Sequence, residues 1–303
     1  MIQKKIESLK KEKNAVILAH YYTIPEVQDI ADFVGDSLAL AQKAATTNAD
    51  MILFAGVHFM AETAKILNPD KKVLIPDMSA DCSLADSCQA DEFARFLENY
   101  PNHTVLSYIN CSAAVKILSD MIVTSGNALK MVNALPKDAP IVFAPDRNLG
   151  AYINHQTGRE MVLWNGACHV HDRLTTDQIL AMKQQYPDAK VIAHPECKDV
   201  VLALADFVGS TAAMLQFVSQ DSHNCYIVAT ETGILYEMQK NNPQKTFHIV
   251  NTMESCHCND CEYMKKNTLE NIYQALLDEQ PELLLDSETI KKAKKPILRM
   301  LEG

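Results

Sequence analysis

Apolar residues fall in short runs along this chain, and the runs recur in one order three times. "AVILAHYYTIPEVQDIADFVGDSLALA" from Ala15, "TVLSYINCSAAVKILSDMIVTSGNALK" from Thr104 and "KVIAHPECKDVVLALADFVGSTAAML" from Lys190 share a layout. Each opens with an apolar run of strand length, turns at a polar tip, passes through a helical stretch and reaches a second short run at DFVG or DMIV. A small hydroxyl residue then opens another helix. The segments that follow also match: "ADMILFAGVHFMAETAKILNPDKKVLIPDMSADC", "APIVFAPDRNLGAYINHQTGREMVLWNGAC" and "NCYIVATETGILYEMQKNNPQKTFHIVNTMESC". Each gives an apolar strand, a helix or loop, and a further strand ending at or near a cysteine.

Short apolar runs alternating with helices predict parallel sheets covered on both faces. The expected fold class is α/β, with three pseudo-threefold-related small three-layer units of mostly parallel sheets. Their expected bounds are 1–103, 104–189 and 190–263, followed by a helical segment 264–303 that can join the first unit.

Chemistry in open α/β sheets collects at the carboxyl ends of strands. His20, Tyr108 and His194 end the first strand of each unit, and two residues later come Tyr22, Asn110 and Glu196. Seventeen residues past each strand end stand Ser37, Ser125 and Thr211, read here as helix N-caps. Helix starts carry free backbone N–H groups that bind phosphate or carboxylate, so three converging starts predict an anion pocket. Any one of these residues alone reads as a cap or a satisfied strand-end polar group. Bulky polar residues at all three tips are costly to bury without a use.

Nine cysteines, an odd number, point to ligands, buried thiols or redox groups rather than a disulfide scaffold. Isolated ones such as Cys111, Cys197 and Cys225 are expected to be buried. Cys82 and Cys168 follow His20 and Tyr108 by 62 and 60 residues, and Cys256 follows His194 by 62, with Cys258 and Cys261 close behind. Thus each unit delivers a cysteine to the same side as its polar tip. Three thiolates with a fourth position open describe a catalytic centre, such as an iron–sulfur cluster with one iron free to act as a Lewis acid. CHCNDC lacks a second cysteine pair for a zinc knuckle, and its CxxC lacks a thioredoxin-like setting.

Length and composition narrow the class. A 303-residue chain with 48% apolar and 22% charged residues can build a sizeable core without staples. A net charge of −10 disfavours nucleic acid or an anionic membrane as partner. The start MIQKKIESLKKEKN has no apolar core region, so a signal peptide is not expected, and a cytoplasmic location is.

Together AHYY (19–22), GDSL (35–38), PDMSADCSLADSC (76–88), SYIN (107–110), WNGACHVH (164–171), AHPEC (193–197), GST (209–211) and Cys261-x-x-Met264-Lys265 with TLE (268–270) resemble the quinolinate synthase family in its compact form. The resemblance covers nearly the whole chain. It implies three α/β domains around a [4Fe-4S] cluster that condense iminoaspartate with dihydroxyacetone phosphate, losing phosphate and two waters, in NAD biosynthesis. It also implies a functional link to an aspartate-oxidising enzyme, no nucleic-acid or membrane partner, and a monomer or weak homodimer. The family pattern assigns the ligands to Cys82, Cys168 and Cys261, whereas repeat spacing favours Cys256; a five-residue loop insertion absorbs the offset. The C-x-C spacing of Cys256 and Cys258 departs from the redox pair of longer members.

By the same resemblance, substrate binding falls to His20, Asp36, Ser37, Met60, Tyr108, Asn110, Ser125, His171, His194, Glu196, Ser210 and Thr211. Tyr22 and Glu196, at equivalent positions in two units, are assigned proton transfers, with His20 and His194 beside them. Trp164 is read as an anchor for the Cys168 loop. A non-enzymatic iron–sulfur sensor would need an output surface that the sequence does not display. A metal-free transferase built on the hydroxyl-bearing helix starts would work without iron.

Overall fold

A computed structural model describes residues 2–250 and 259–302. Among these, twelve strands make three sheets of four, all parallel and all in one order. β1 (Ala15–His20), β2 (Phe33–Gly35), β3 (Met51–Ala55) and β4 (Lys72–Leu74) run in the order β2-β1-β3-β4. β5 (Thr104–Tyr108), β6 (Met121–Val123), β7 (Ile141–Ala144) and β8 (Val162–Leu163) repeat it as β6-β5-β7-β8. β9 (Lys190–Ala193), β10 (Phe207–Val208), β11 (Cys225–Ala229) and β12 (Thr246–Ile249) repeat it again as β10-β9-β11-β12. The threefold α/β architecture read from the apolar runs is the observed one.

One aspartate explains why "DFVG" and "DMIV" recur. Asp32, Asp120 and Asp206 stand immediately before the second strand of each sheet. Each carboxylate accepts the backbone N–H of the first strand, from Ile17 at 2.7 Å, Val105 at 2.9 Å and Val191 at 2.7 Å. Each aspartate N–H in turn donates to the carbonyl of that same residue. This two-bond clamp sets how the second strand lies against the first. A part-buried bond of this kind contributes about 1 kcal/mol, so Asp120→Ala should lower the unfolding free energy extracted from urea titration by about that much, without altering the site.

Strands buried on both faces need helices on both sides. Ile6 of the helix Ile2–Glu12 and Ile272 and Leu276 of the helix Leu269–Asp278 pack on Ile17 and Leu53, covering one face of the first sheet. Phe93 lies with Val105 and Val142 of the second sheet, and Ile179 with Val191 and Ile227 of the third. So the helix ahead of each first strand, Ala90–Leu97 or Thr176–Gln185, packs on the sheet that follows it. The helix Ser287–Glu302 inserts Ile297 and Met300 into a core shared with Phe54 of the first sheet and Leu106 of the second. No described helix is long and apolar enough to cross a membrane.

Candidate active site

With the three sheets facing inward, their first-strand ends line one cavity, with about 60 Å³ of room for the centres of water-sized spheres.

His20 ends β1 and His194 follows β9, and the two rings are fixed by one device. The N–H of Tyr22 donates to His20 Nδ1 at 3.1 Å, and the N–H of Glu196 donates to His194 Nδ1 at 3.4 Å. A backbone N–H can only donate, so each Nδ1 accepts and each Nε2 carries the proton. Both imidazoles are therefore neutral hydrogen-bond donors on the cavity wall. Burial pushes each ring down to about 3; for His20 the neighbouring His194 adds to this, and for His194 the His171 ring adds while Glu196 opposes.

Glu196 connects the second and third units. Its Oε1 accepts the Tyr108 hydroxyl at 2.6 Å, and its Oε2 lies 3.0 Å from His171 Nδ1. That second approach is off the axis of an aligned hydrogen bond, so His171 Nδ1 is a buried polar atom with a charge contact only. His171 Nε2 meets Thr230 Oγ1 at 2.8 Å, and Thr230 meets the Tyr22 hydroxyl at 2.9 Å. Tyr22 also reaches Thr211 at 3.1 Å. A line of polar contacts, hydrogen-bonded except between Glu196 and His171, thus runs from Tyr108 through Glu196, His171 and Thr230 to Tyr22.

The environments along that chain drive its acids apart. Burial pushes the Glu196 carboxyl up, but His171, His194 and the Tyr108 hydroxyl outweigh it and hold the group low, at about 2. Burial pushes Tyr22 and Tyr108 well above an ordinary phenol; the Glu196 charge adds to both, while the hydroxyl partners of Tyr22 offset part of it. At neutral pH the chain therefore holds one ionised carboxylate between two protonated phenols. Such separation marks a base beside acids.

Each of three cysteines caps a four-residue helix: Cys82 before Ser83–Asp86, Cys168 before His169–Asp172 and Cys261 before Glu262–Lys265. Their sulfurs lie over the first-turn N–H groups without closing a capping hydrogen bond. All three line the one cavity. Each residue keeps some accessible surface towards it, yet the surrounding protein is dense enough to push the thiols up, Cys261 to about 11 and the other two further. Mutual repulsion of the three contributes, since Cys168 responds to both Cys82 and Cys261. A metal ligand must be deprotonated, so bound cationic charge is what such a cluster of thiols calls for. Separately, donor atoms of Cys168, His171 and Glu196 lie within 4.8 Å of one another, a set able to coordinate metal.

The cavity brings together His20, Tyr22, Asp36, Ser37, Met60, Cys82, Tyr108, Asn110, Ser125, Cys168, His171, His194, Glu196, Thr211 and Cys261. The capping expectation is corrected. Asp36 caps the helix Ser37–Thr46 through a 3.0 Å bond from the Ala39 N–H, and Ser210 caps Thr211–Gln220 through one from Ala213 at 3.3 Å. Ser37 and Thr211 are first helical residues, and Ser125 precedes the helix Ala128–Asn133, whose cap is Asn127. Relieved of capping, the three residues line the cavity, with the Thr211 hydroxyl 3.1 Å from that of Tyr22. Ser210 is buried behind it as a cap and is not on its wall. Cys256 and Cys258 lie outside the described residues.

Trp164 does brace the loop ahead of Cys168: its indole N–H donates to the Ser87 carbonyl at 2.9 Å and its ring meets Phe93 and Phe96 edge-on. Cys111 and Cys197 are buried as expected, whereas Cys225 is half-buried. Thr230 and Glu231 were not foreseen. Their signal was positional, since they stand one and two residues past the end of β11.

The histidines predict a pH dependence of stability. Their folded values, about 3, lie below the unfolded value near 6.5. Stability from keeping them neutral is complete above about pH 6.5 and falls as pH drops towards 3, by up to ~1.4 kcal/mol per unit for each ring. Thermal melts from pH 7 to 4 should show this slope, and the His20→Gln/His194→Gln double variant should flatten it.

The model of the family described as quinolinate synthetase A protein matches residues 4–302. The quinolinate synthase of Thermosynechococcus vestitus is 57% identical over 298 residues, covering 98% of this chain and 93% of its own. That of Microcystis aeruginosa is 56% identical over 297 residues, with 98% and 93% covered.

Proposed function

Because the chain belongs to the quinolinate synthetase A protein family, we propose that its cavity joins iminoaspartate to dihydroxyacetone phosphate and forms pyridine-2,3-dicarboxylate. Membership makes it a quinolinate-forming enzyme with a metal-binding centre. One phosphate and two waters leave, one C–C and one C–N bond form, and no external oxidant is needed.

The observation that carries the reading is convergence of Cys82, Cys168 and Cys261, one from each repeat, on one cavity lined with hydrogen-bonding groups. The residues fit a [4Fe-4S] cluster: three thiols crowd together, and Asn110 Oδ1 and His171 Nδ1 have no hydrogen-bond partner among the described residues. Cys82, Cys168 and Cys261 would hold such a cluster, and an iron left without a protein ligand would supply Lewis acidity towards a substrate hydroxyl or carboxylate.

The remaining roles follow from the chain itself. His20 and His194 offer Nε2–H to substrate oxygens without adding charge. Ser37 and Thr211 offer hydroxyls from the first turns of ten-residue helices, whose starts are capped by Asp36 and Ser210. Ser125 and Asn110 line the second unit's side, and Val57, Phe59 and Met60 add apolar lining from the first unit. Glu196 takes the protons released as the triose tautomerises and the ring becomes aromatic. Tyr22 returns a proton to a leaving oxygen, and Thr230 and His171 link it to Glu196. Asp36 keeps the Ser37 helix start in position. A cytoplasmic setting, with iminoaspartate supplied by an aspartate-oxidising enzyme, completes the reading.

Anaerobically purified and iron-loaded protein, given dihydroxyacetone phosphate and iminoaspartate generated in place, should release phosphate and quinolinate in equal amounts. Phosphate release without quinolinate would overturn the proposal.

A further inference from the structure

Two buried carboxylates occupy one place in two of the three units. β3, β7 and β11 end at Ala55, Ala144 and Ala229, and two residues beyond stand Val57, Asp146 and Glu231. Asp146 and Glu231 are both fully buried. Asp146 Oδ1 accepts the N–H groups of Asn148 at 2.7 Å and Leu149 at 2.9 Å, which seats it as a cap. Its other oxygen accepts the N–H of Cys168 at 2.9 Å. Glu231 repeats the arrangement, with Oε2 accepting the Gly233 N–H at 2.6 Å and Oε1 accepting the Cys261 N–H at 3.0 Å.

Glu231 has a further partner. Lys265, four residues after Cys261, brings Nζ to 2.8 Å from Glu231 Oε1 and donates to the Tyr22 carbonyl at 2.7 Å. The third unit approaches this stretch of the first closely, since a Cβ added at Gly233 would lie 2.7 Å from Tyr22 Cα and 2.8 Å from the Tyr21 carbonyl. Gln28 joins the same seam by donating to the carbonyls of Tyr21 at 2.9 Å and Gly233 at 3.2 Å.

We infer that Asp146 and Glu231 are equivalent positioning residues that hold the loops of Cys168 and Cys261 by the cysteines' own backbone N–H groups, and that Glu231, through Lys265, also fixes the backbone of Tyr22. A buried carboxylate with backbone N–H groups on both oxygens has one orientation, and so has the loop it grips. The Cys261 loop and the Tyr22 turn thereby share one anchor. In the first unit Val57 has no carboxylate, and the Cys82 N–H is held instead by the exposed Asp81 beside it, at 2.9 Å.

The inference rests on the three-cysteine reading of the site, and the test separates the two. Iron and sulfide per chain, the rate of cluster loss to a chelator, and kcat and KM are measured on the anaerobically loaded full chain. Glu231→Ala should lose its cluster about 10 to 100-fold faster, the range seen when the outer partners of metal ligands are removed. Glu231→Gln, which still offers an oxygen to the Cys261 N–H, should restore most of that retention. Lys265→Met leaves the Glu231 grip on Cys261, so cluster content should stay at the wild-type level while kcat falls at least about 10-fold and KM holds within about twofold. Lys265 is partly exposed, so this variant tests the seam even where Glu231→Ala does not fold. Wild-type cluster loss in Glu231→Ala, or wild-type kcat in Lys265→Met, would overturn the inference. Wild-type chain that takes up no cluster would instead overturn the reading beneath it.

Discussion

The Cys168→Ser variant is expected to lose the intact cluster and, with it, quinolinate formation by at least about 100-fold. Serine matches the thiol in shape but ionises far less readily, and Cys168 stands where burial and two neighbouring thiols already oppose negative charge. Thiolate character there has to come from the bound metal, and a hydroxyl cannot supply it. Cys82→Ser and Cys261→Ser should behave alike, because the three residues hold equivalent positions, each capping a four-residue helix at the cavity wall. Cys111→Ser is the control, since Cys111 packs with Phe93 and Val115 in a separate cluster. Cys256→Ser should also keep the centre. Iron and sulfide analysis with visible absorbance reads all five, and full iron content in Cys168→Ser would rule out a three-thiolate centre.

The choice between Cys256 and Cys261 shows how far a repeat can be read. Equal spacing selected Cys256, because duplicated units keep strand and helix lengths, where one added residue disturbs a whole packed face. A connection between packed elements has no such constraint, so spacing alone does not choose among the tail cysteines, and Cys256 lies outside the described residues. Cys261 reaches the cavity as the cap of Glu262–Lys265.

Strand-end residues were legible for the opposite reason. Parallel strands present their carboxyl ends on one side of their own sheet, so His20, Tyr108 and His194 had to hold one equivalent position in each unit, and the packing of the three repeats then brings those ends to one cavity. Capping was misread by a residue at both Ser37 and Thr211, because the neighbouring Asp36 and Ser210 are equally good caps and only backbone geometry decides between them. Thr230 and Glu231 were missed because their roles come from residues distant in sequence. Thr230 acts through His171 and Tyr22, Glu231 through Cys261 and Lys265, and no local pattern signals a partner so distant in sequence.

Glu196→Gln should separate binding from chemistry. The amide fills the same space and its oxygen can still accept the Tyr108 hydroxyl, now 2.6 Å from the carboxylate, but it cannot take a proton. A positioned base is worth roughly 100 to 10,000-fold, so kcat should fall within that range while cluster content stays intact. Burial raises Glu196 but its histidine and tyrosine partners hold it near 2, so the carboxylate is ionised throughout the neutral range and is lost only as pH falls through that value. The wild-type rate should therefore show no acid limb from this group above about pH 4, as far as the fold survives. Tyr22→Phe is the complementary variant: its phenol is held protonated by burial, so its loss removes an acid and breaks the link to Thr230 and Thr211. If Glu196 and Tyr22 act at two ends of one polar chain, the double variant should be little slower than the worse single one. Multiplicative losses would mean that the two residues move protons independently, and His171 and Thr230 would then be packing partners rather than a link.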